Sequence, residues 1–246
     1  MNDAEASIPR RVWETYRGGG VYAVYEEGRR FGLRRPATVK LVSELRRRKQ
    51  SVVDGWSAVA DPMKLLYIDP TEITRSANKR FDKYWDVGRI VGGDWDTDTR
   101  ALHTHPKFVA VRERYENGAS WEETGIFEYL LERLEDEGRV DGCYSLAEIE
   151  QRYSYIDELY RSMEEDRYQE QKVDDVLDHI CVCISRDGRF LFSGGGTHRL
   201  AIAQVLQLDA VPVRAVVRHR EWQRKREAVH ATPTKSEDDH PDLRAL

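Results

Sequence analysis

The 246-residue chain carries 39 lysines and arginines against 44 aspartates and glutamates, for a formal net charge of −5. Its charges are of mixed sign, which excludes the strong basic field that nonspecific DNA wrapping requires, while 40% hydrophobic residues are enough for a sizeable core. It holds no apolar run near 18 residues and no signal-peptide pattern, so a cytoplasmic location without a membrane span is expected, and the three cysteines fit a reducing compartment.

In chain order, residues 1–62 read as an N-terminal helical and irregular segment. Ala37–Lys49 has amphipathic helical spacing with a basic end, which suits the negative pole of a helix dipole better than a nucleic acid. Met63–Ile68 is an apolar strand stopped by Asp69 and Pro70. The stretch Gly88–Asp98 joins Gly92 and Gly93 to carboxylates at alternating positions, Asp94, Asp96 and Asp98. Such a loop can hold a hard divalent cation, or an aspartate there can act as general base; capping of the turn around Trp95 is the structural alternative. An EF-hand is excluded, because its sixth and twelfth positions would be Thr99 and His105. His103 and His105 could ligate a metal if extended, but Pro106 makes His105 a helix-start residue.

Residues 106–170 read as a helical insertion, folded over the site as a lid or partner domain. Pro106–Asn117 is its first helix, and capping boxes at Ser120–Glu123 and Ser145–Glu148 open helices over Trp121–Glu137 and onward to about Glu165. Ile180–Ile184 and Arg189–Phe192 form a hairpin through the Asp187-Gly188 turn, with Cys181 and Cys183 on one face as core residues. A helix over Thr197–Leu208 follows, then a strand over Val211–Val217 that Pro212 marks as an edge or a strand start. His219–Ala228 reads as a charged helix and 229–246 as a disordered polar tail.

The most informative stretch joins Phe190–Phe192 to Gly194, Gly195 and Gly196, then to Thr197, His198 and Arg199 at the mouth of a helix. Glycines allow a sharp turn and close approach of backbone to a ligand, and the free amides of a helix start favour an anion. Thr197 offers an N-cap or a free hydroxyl, and His198 and Arg199 add donors suited to phosphate oxygens. Neither a Walker loop nor a dinucleotide fingerprint is present.

Gly-Gly-Thr-His-Arg, followed by Leu-Ala-Ile-Ala and then Val-Pro-Val, resembles the second half of the ParB/sulfiredoxin-like fold, where a glycine and two or three polar or basic residues hold nucleotide phosphates at a helix N-terminus. The resemblance covers about 178–219 well and 65–98 more weakly. It implies an α/β (α+β) mixed-sheet core over 63–228 carrying the helical insertion. It further implies nucleotide binding through Gly194, Gly195, Gly196, Thr197, His198 and Arg199, with ATP and Mg²⁺ as cofactors. Asp94 or Asp96 would supply a base or a metal ligand for phosphoryl transfer to an unknown acceptor. Thr197 stands where sulfiredoxins carry their nucleophilic cysteine, so sulfinic-acid reduction is not implied. The glutamate of the ParB motif is missing, and no helix-turn-helix follows. DNA is therefore a less favoured partner, reachable only by the basic segments Arg46–Lys49 and Arg218–Arg226. A DNA-binding or nuclease module and a non-catalytic nucleotide sensor remain the alternatives.

Overall fold

The computed structural model describes residues 36–168, 179–232 and 239–244. The fold is α/β, with helices packed on a mixed sheet of seven strands. The strands are β1 (Leu65–Ile68), β2 (Arg75–Ala77), β3 (Arg89–Val91), β4 (Thr99–Ala101), β5 (Ile180–Ile184), β6 (Phe190–Phe192) and β7 (Val211–His219). They run in the order β1-β7-β5-β6-β2-β4, and β3 lies beside the far half of β7.

The strand β7 is the spine of the sheet. Its nine residues are all buried, and it pairs with β1 and then β3 on one side and with β5 on the other. Pro212 is therefore a strand-start residue in a central strand, not the mark of an edge, and it sits opposite Tyr67. The β5–β6 hairpin forms as its turn residues predict. Gly188 in that turn has φ 91°, and a Cβ there would lie 2.5 Å from the Trp222 ring.

Alternation along β5 divides the core between two faces. Ile180, Val182 and Ile184, with Phe190 and Phe192, meet the helices α2 (Pro106–Glu116), α3 (Ile126–Glu137), α4 (Leu146–Asp166) and α5 (Thr197–Val205) in one large apolar cluster. Because that cluster runs continuously from Ile126, Leu130 and Tyr153 to Val182 and Ile202, the expected lid is part of the main core. Cys181, Cys183 and Leu191 face the other way, toward Trp95, Phe81 and Val39 of α1 (Pro36–Val52). All three cysteines are free, and full burial pushes the Cys183 thiol up to about 12.

One capping box starts a long helix and the other does not. Ser145 accepts from the Glu148 amide at 3.3 Å and opens α4 where the sequence places it. The Ser120–Glu123 box also forms, at 2.8 and 3.3 Å, but it caps only an isolated turn. Gly125, at φ 70°, interrupts the chain, and α3 starts at Ile126 rather than Trp121.

The C-terminal segment departs from the expected tail. The charged helix α6 runs over Arg220–Ala231, and Pro241–Arg244 forms a short helix, α7, that docks on the core. Asp242 is fully buried there, paired with Arg218 at 2.6 Å and Arg226 at 2.8 Å and accepting from Trp222 Nε1 at 2.9 Å. The basic segment Arg218–Arg226 is thus partly an internal ion-pair partner. Likewise Arg47 and Arg48 pair with Glu44, Lys49 pairs with Asp54, and Arg46 donates to the Val87 carbonyl. Most cations of the two segments thus have partners within the fold. No helix among the described residues is long and apolar enough to cross a membrane.

Candidate anion-binding cleft

The glycine-rich turn is tied to β5. Ser193 N–H donates to the Cys181 carbonyl at 2.8 Å, and Cys181 N–H donates to the Gly195 carbonyl at 3.1 Å. A Cβ on Gly195 would lie 2.7 Å from Cys181 Sγ, and one on Gly196 would lie 2.9 Å from Ile180 Cα. Two of the three glycines are therefore required by packing against β5. Gly194, at φ 87°, is the one with open space beside it.

This packing sets where α5 begins. Its N-cap is Gly196, at φ 73°, and no side chain caps the first turn. Thr197 is the first helical residue rather than the cap, so its hydroxyl is not used for capping. The uncapped start of α5 opens onto two adjoining cavities of 340 and 790 Å³ that share Lys107, Gly194 and Thr197.

The smaller cavity is lined by all six residues of the 194–199 motif and by side chains that the insertion brings in. Lys107, only 7% exposed, forms a salt bridge with Asp141 at the cavity wall. Asp141 is held at φ 51° in a turn closed by paired hydrogen bonds between Val140 and Cys143, at 3.0 and 2.7 Å. Burial pushes the Lys107 ammonium down in spite of Asp141. Burial would raise Asp141, but the Lys107 charge and hydrogen bond hold it below the usual carboxylate range. Arg152 adds a second cation, and Tyr155, Ile156 and Leu159 of α4 form an apolar wall.

The His198 ring is directed inward. It is 7% exposed and lies edge-on to the Tyr153 ring, with 3.4 Å between Tyr153 Oη and His198 Nε2. Burial, aided by the charges of Lys107 and Arg152, pushes its pKa down to about 3, so the ring is neutral at pH 7. It can serve a ligand as a neutral hydrogen-bonding group but not as a cation.

The larger cavity lies on the β2–β4 side. Lys79, Arg80, Arg100, Lys107 and Arg133 line it, against the single carboxylate of Glu137. Glu137 is already paired with Arg133 at 2.7 Å. None of the cations except Arg199 came from the predicted motif. They are scattered over five segments, and the one local signal was Lys107, a lysine beside the apolar Phe108 and Val111 at the start of a helix.

Asp94 and Asp96 lie elsewhere. The chain from β3 to β4 crosses the face of the sheet opposite α5, where Trp95 packs on Phe81 with ring centroids 5.2 Å apart. Asp96 is 1% exposed, 2.7 Å from Arg186 Nη2 and 2.8 Å from the Arg186 amide. Asp94 points to solvent and meets the same guanidinium at 2.8 Å. Burial would raise Asp96, but the hydrogen bonds from Arg186 hold it below the usual range. Arg186 sits in the β5–β6 turn, whereas the glycine turn binds Cys181, and the strand from Cys181 to Ser185 spans roughly 13 Å. Neither aspartate lines either cavity. The structure thus does not bring Asp94 or Asp96 together with the 194–199 motif; both carboxylates clamp the hairpin. Nor do the histidines make a metal site. His105 caps α2 by accepting from the Lys107 amide at 3.2 Å, and no group of three or more His, Cys, Asp or Glu gathers among the described residues.

Fold and site together define a mixed α/β protein with a basic cleft at a helix N-terminus. No family model, curated protein or solved structure matches the chain.

Proposed function

We propose that the protein binds a nucleoside triphosphate in the smaller cavity, as a phosphotransferase using Mg-ATP. The observation that carries this reading is the convergence of the uncapped start of α5 with Lys107, Arg152 and Arg199 in one 340 Å³ space. A helix N-terminus and cations lining one space suit a run of phosphates, whose charge they neutralise. Tyr155, 57% exposed, offers the base an aromatic platform beside Leu159.

Asp141 takes the role that the sequence assigned to Asp94 or Asp96. Magnesium usually binds through one or two carboxylates together with the substrate phosphates, and Asp141 is the carboxylate lining this cavity. The bound ion would neutralise phosphate charge. In transfer, the acceptor oxygen bonds to the γ-phosphorus, the bond from that phosphorus to its bridging oxygen breaks, and a nucleoside diphosphate leaves. The acceptor's hydroxyl proton leaves to bulk water, since the Asp141 carboxylate is committed to Lys107 and the ion.

A thermal-shift panel of ATP, ADP, CTP and GTP with magnesium tests the binding. A nucleotide at about 100 times its Kd should add roughly 2.7 kcal/mol of stability. The shift should vanish in Arg199→Ala and persist in Asp94→Asn. A panel with no shift for any nucleotide would overturn the proposal.

A further inference from the structure

The larger cavity is more than an antechamber to the smaller one. Its 790 Å³ lies within the range of a small-molecule site. Its cations come from four separate places: Lys79 and Arg80 follow β2, Arg100 lies on β4, Lys107 on α2 and Arg133 on α3. A chain with a net charge of −5 has thus gathered five cations around one space whose single carboxylate is already paired. Arg80 and Arg100 form no ion pair among the described residues, and both are exposed. Lys79 lies 5.4 Å from the centroid of the Phe81 ring, which leaves its charge uncompensated by a carboxylate. The floor is apolar where Phe192 and Leu102 reach it. Aromatic surface at the cleft is mostly covered: Phe81 is 8% exposed, and Arg133 lies over the Tyr129 ring at 5.9 Å. A strand of nucleic acid stacks its bases on open rings, so these covered rings favour a compact anion.

We infer that the cleft walled by Arg80, Arg100 and Arg133 is a second anion site, which takes a small phosphate-bearing molecule as the acceptor substrate. As an acceptor site it rests on the nucleotide reading of the smaller cavity. The two sites meet at Lys107, Gly194 and Thr197, which line both. An acceptor anchored by its own phosphate on the arginines would present its hydroxyl at that junction. Lys107 then lies between the two anions and screens their repulsion.

The test is calorimetric titration of the full chain with inorganic pyrophosphate, ribose 5-phosphate, ATP, and a single-stranded oligonucleotide of about ten nucleotides, near the footprint of a single-strand-binding module. Arg80 and Arg100 are exposed, so the Arg80→Ser/Arg100→Ser double variant should fold, with an unchanged melting temperature as the control. In the double variant, affinity for pyrophosphate and ribose 5-phosphate should fall by about tenfold or more, while ATP affinity stays within about twofold. Arg199→Ala should show the reverse. Unchanged binding of the two small phosphates in the double variant would overturn the second site. So would an oligonucleotide that binds wild type more tightly than either small phosphate and loses that binding in the double variant. If ATP fails to bind anywhere while the small phosphates behave as expected, the nucleotide reading falls and the cleft stands as an anion site alone.

Discussion

Gly196 shows how one residue can serve packing and function together. It adopts φ 73°, and a Cβ there would press on Ile180 Cα at 2.9 Å, which is backbone and cannot swing aside. Gly196→Ala should therefore cost roughly 2–4 kcal/mol, the sum of left-handed strain and overpacking, as read by urea unfolding. Gly194→Ala meets no neighbour and should cost only the strain of its positive φ. A sequence shows three glycines in a row as equivalent. Only the approach of β5 separates the two that packing requires from the one with space beside it. His198 carries the same lesson. Its place after the glycines reads as a phosphate donor, but its ring is buried against Tyr153 and neutral at pH 7.

At the scale of elements, the β-hairpin and α4 were legible because turn and capping residues act over three or four positions, and α5 because a glycine turn precedes it. The start of α3 was not: the Ser120–Glu123 box forms, yet Gly125 ends its turn. The terminal helix α7 was legible least of all. Its four residues have no pattern of their own, and it is ordered by the Asp242 carboxylate between Arg218 and Arg226. Asp242→Ala would leave two buried guanidiniums without their counter-charge and should cost about 3–5 kcal/mol in a denaturant melt. The pair also fixes a pH dependence. Burial alone would raise the Asp242 carboxyl, but the two arginines hold it far below its unfolded value. The unfolded chain therefore binds the proton first as pH falls. The pair's contribution should be complete above about pH 5 and fade progressively below the unfolded value near about 4. The Asp242→Ala variant should lack that part of the acid loss, and identical acid profiles for the two proteins would refute the assignment.

For the whole molecule, the sheet separates two groups of charge that look like one site in the sequence. Asp94 and Asp96 brace the β5–β6 turn on one face, while α5 and the insertion build the cleft on the other. Asp96→Ala should accordingly lower the melting temperature, because it strips Arg186 of its buried partner, yet leave any nucleotide-induced shift intact at a temperature where the variant is folded. Loss of the shift in a folded Asp96→Ala protein would return that loop to the site. The sequence by itself determined the hairpin, the glycine turn at the mouth of α5 and most helices of the 106–170 insertion, because periodicity and turn chemistry are local, and its resemblance implied the α/β class. The tertiary structure alone decided which charges meet. Lys107, Asp141, Arg152 and His198 are distant in the chain and become neighbours only when the insertion packs its apolar stripe against α5. Burial then sets their protonation, and burial is a property of the packed chain, not of any residue's place in it.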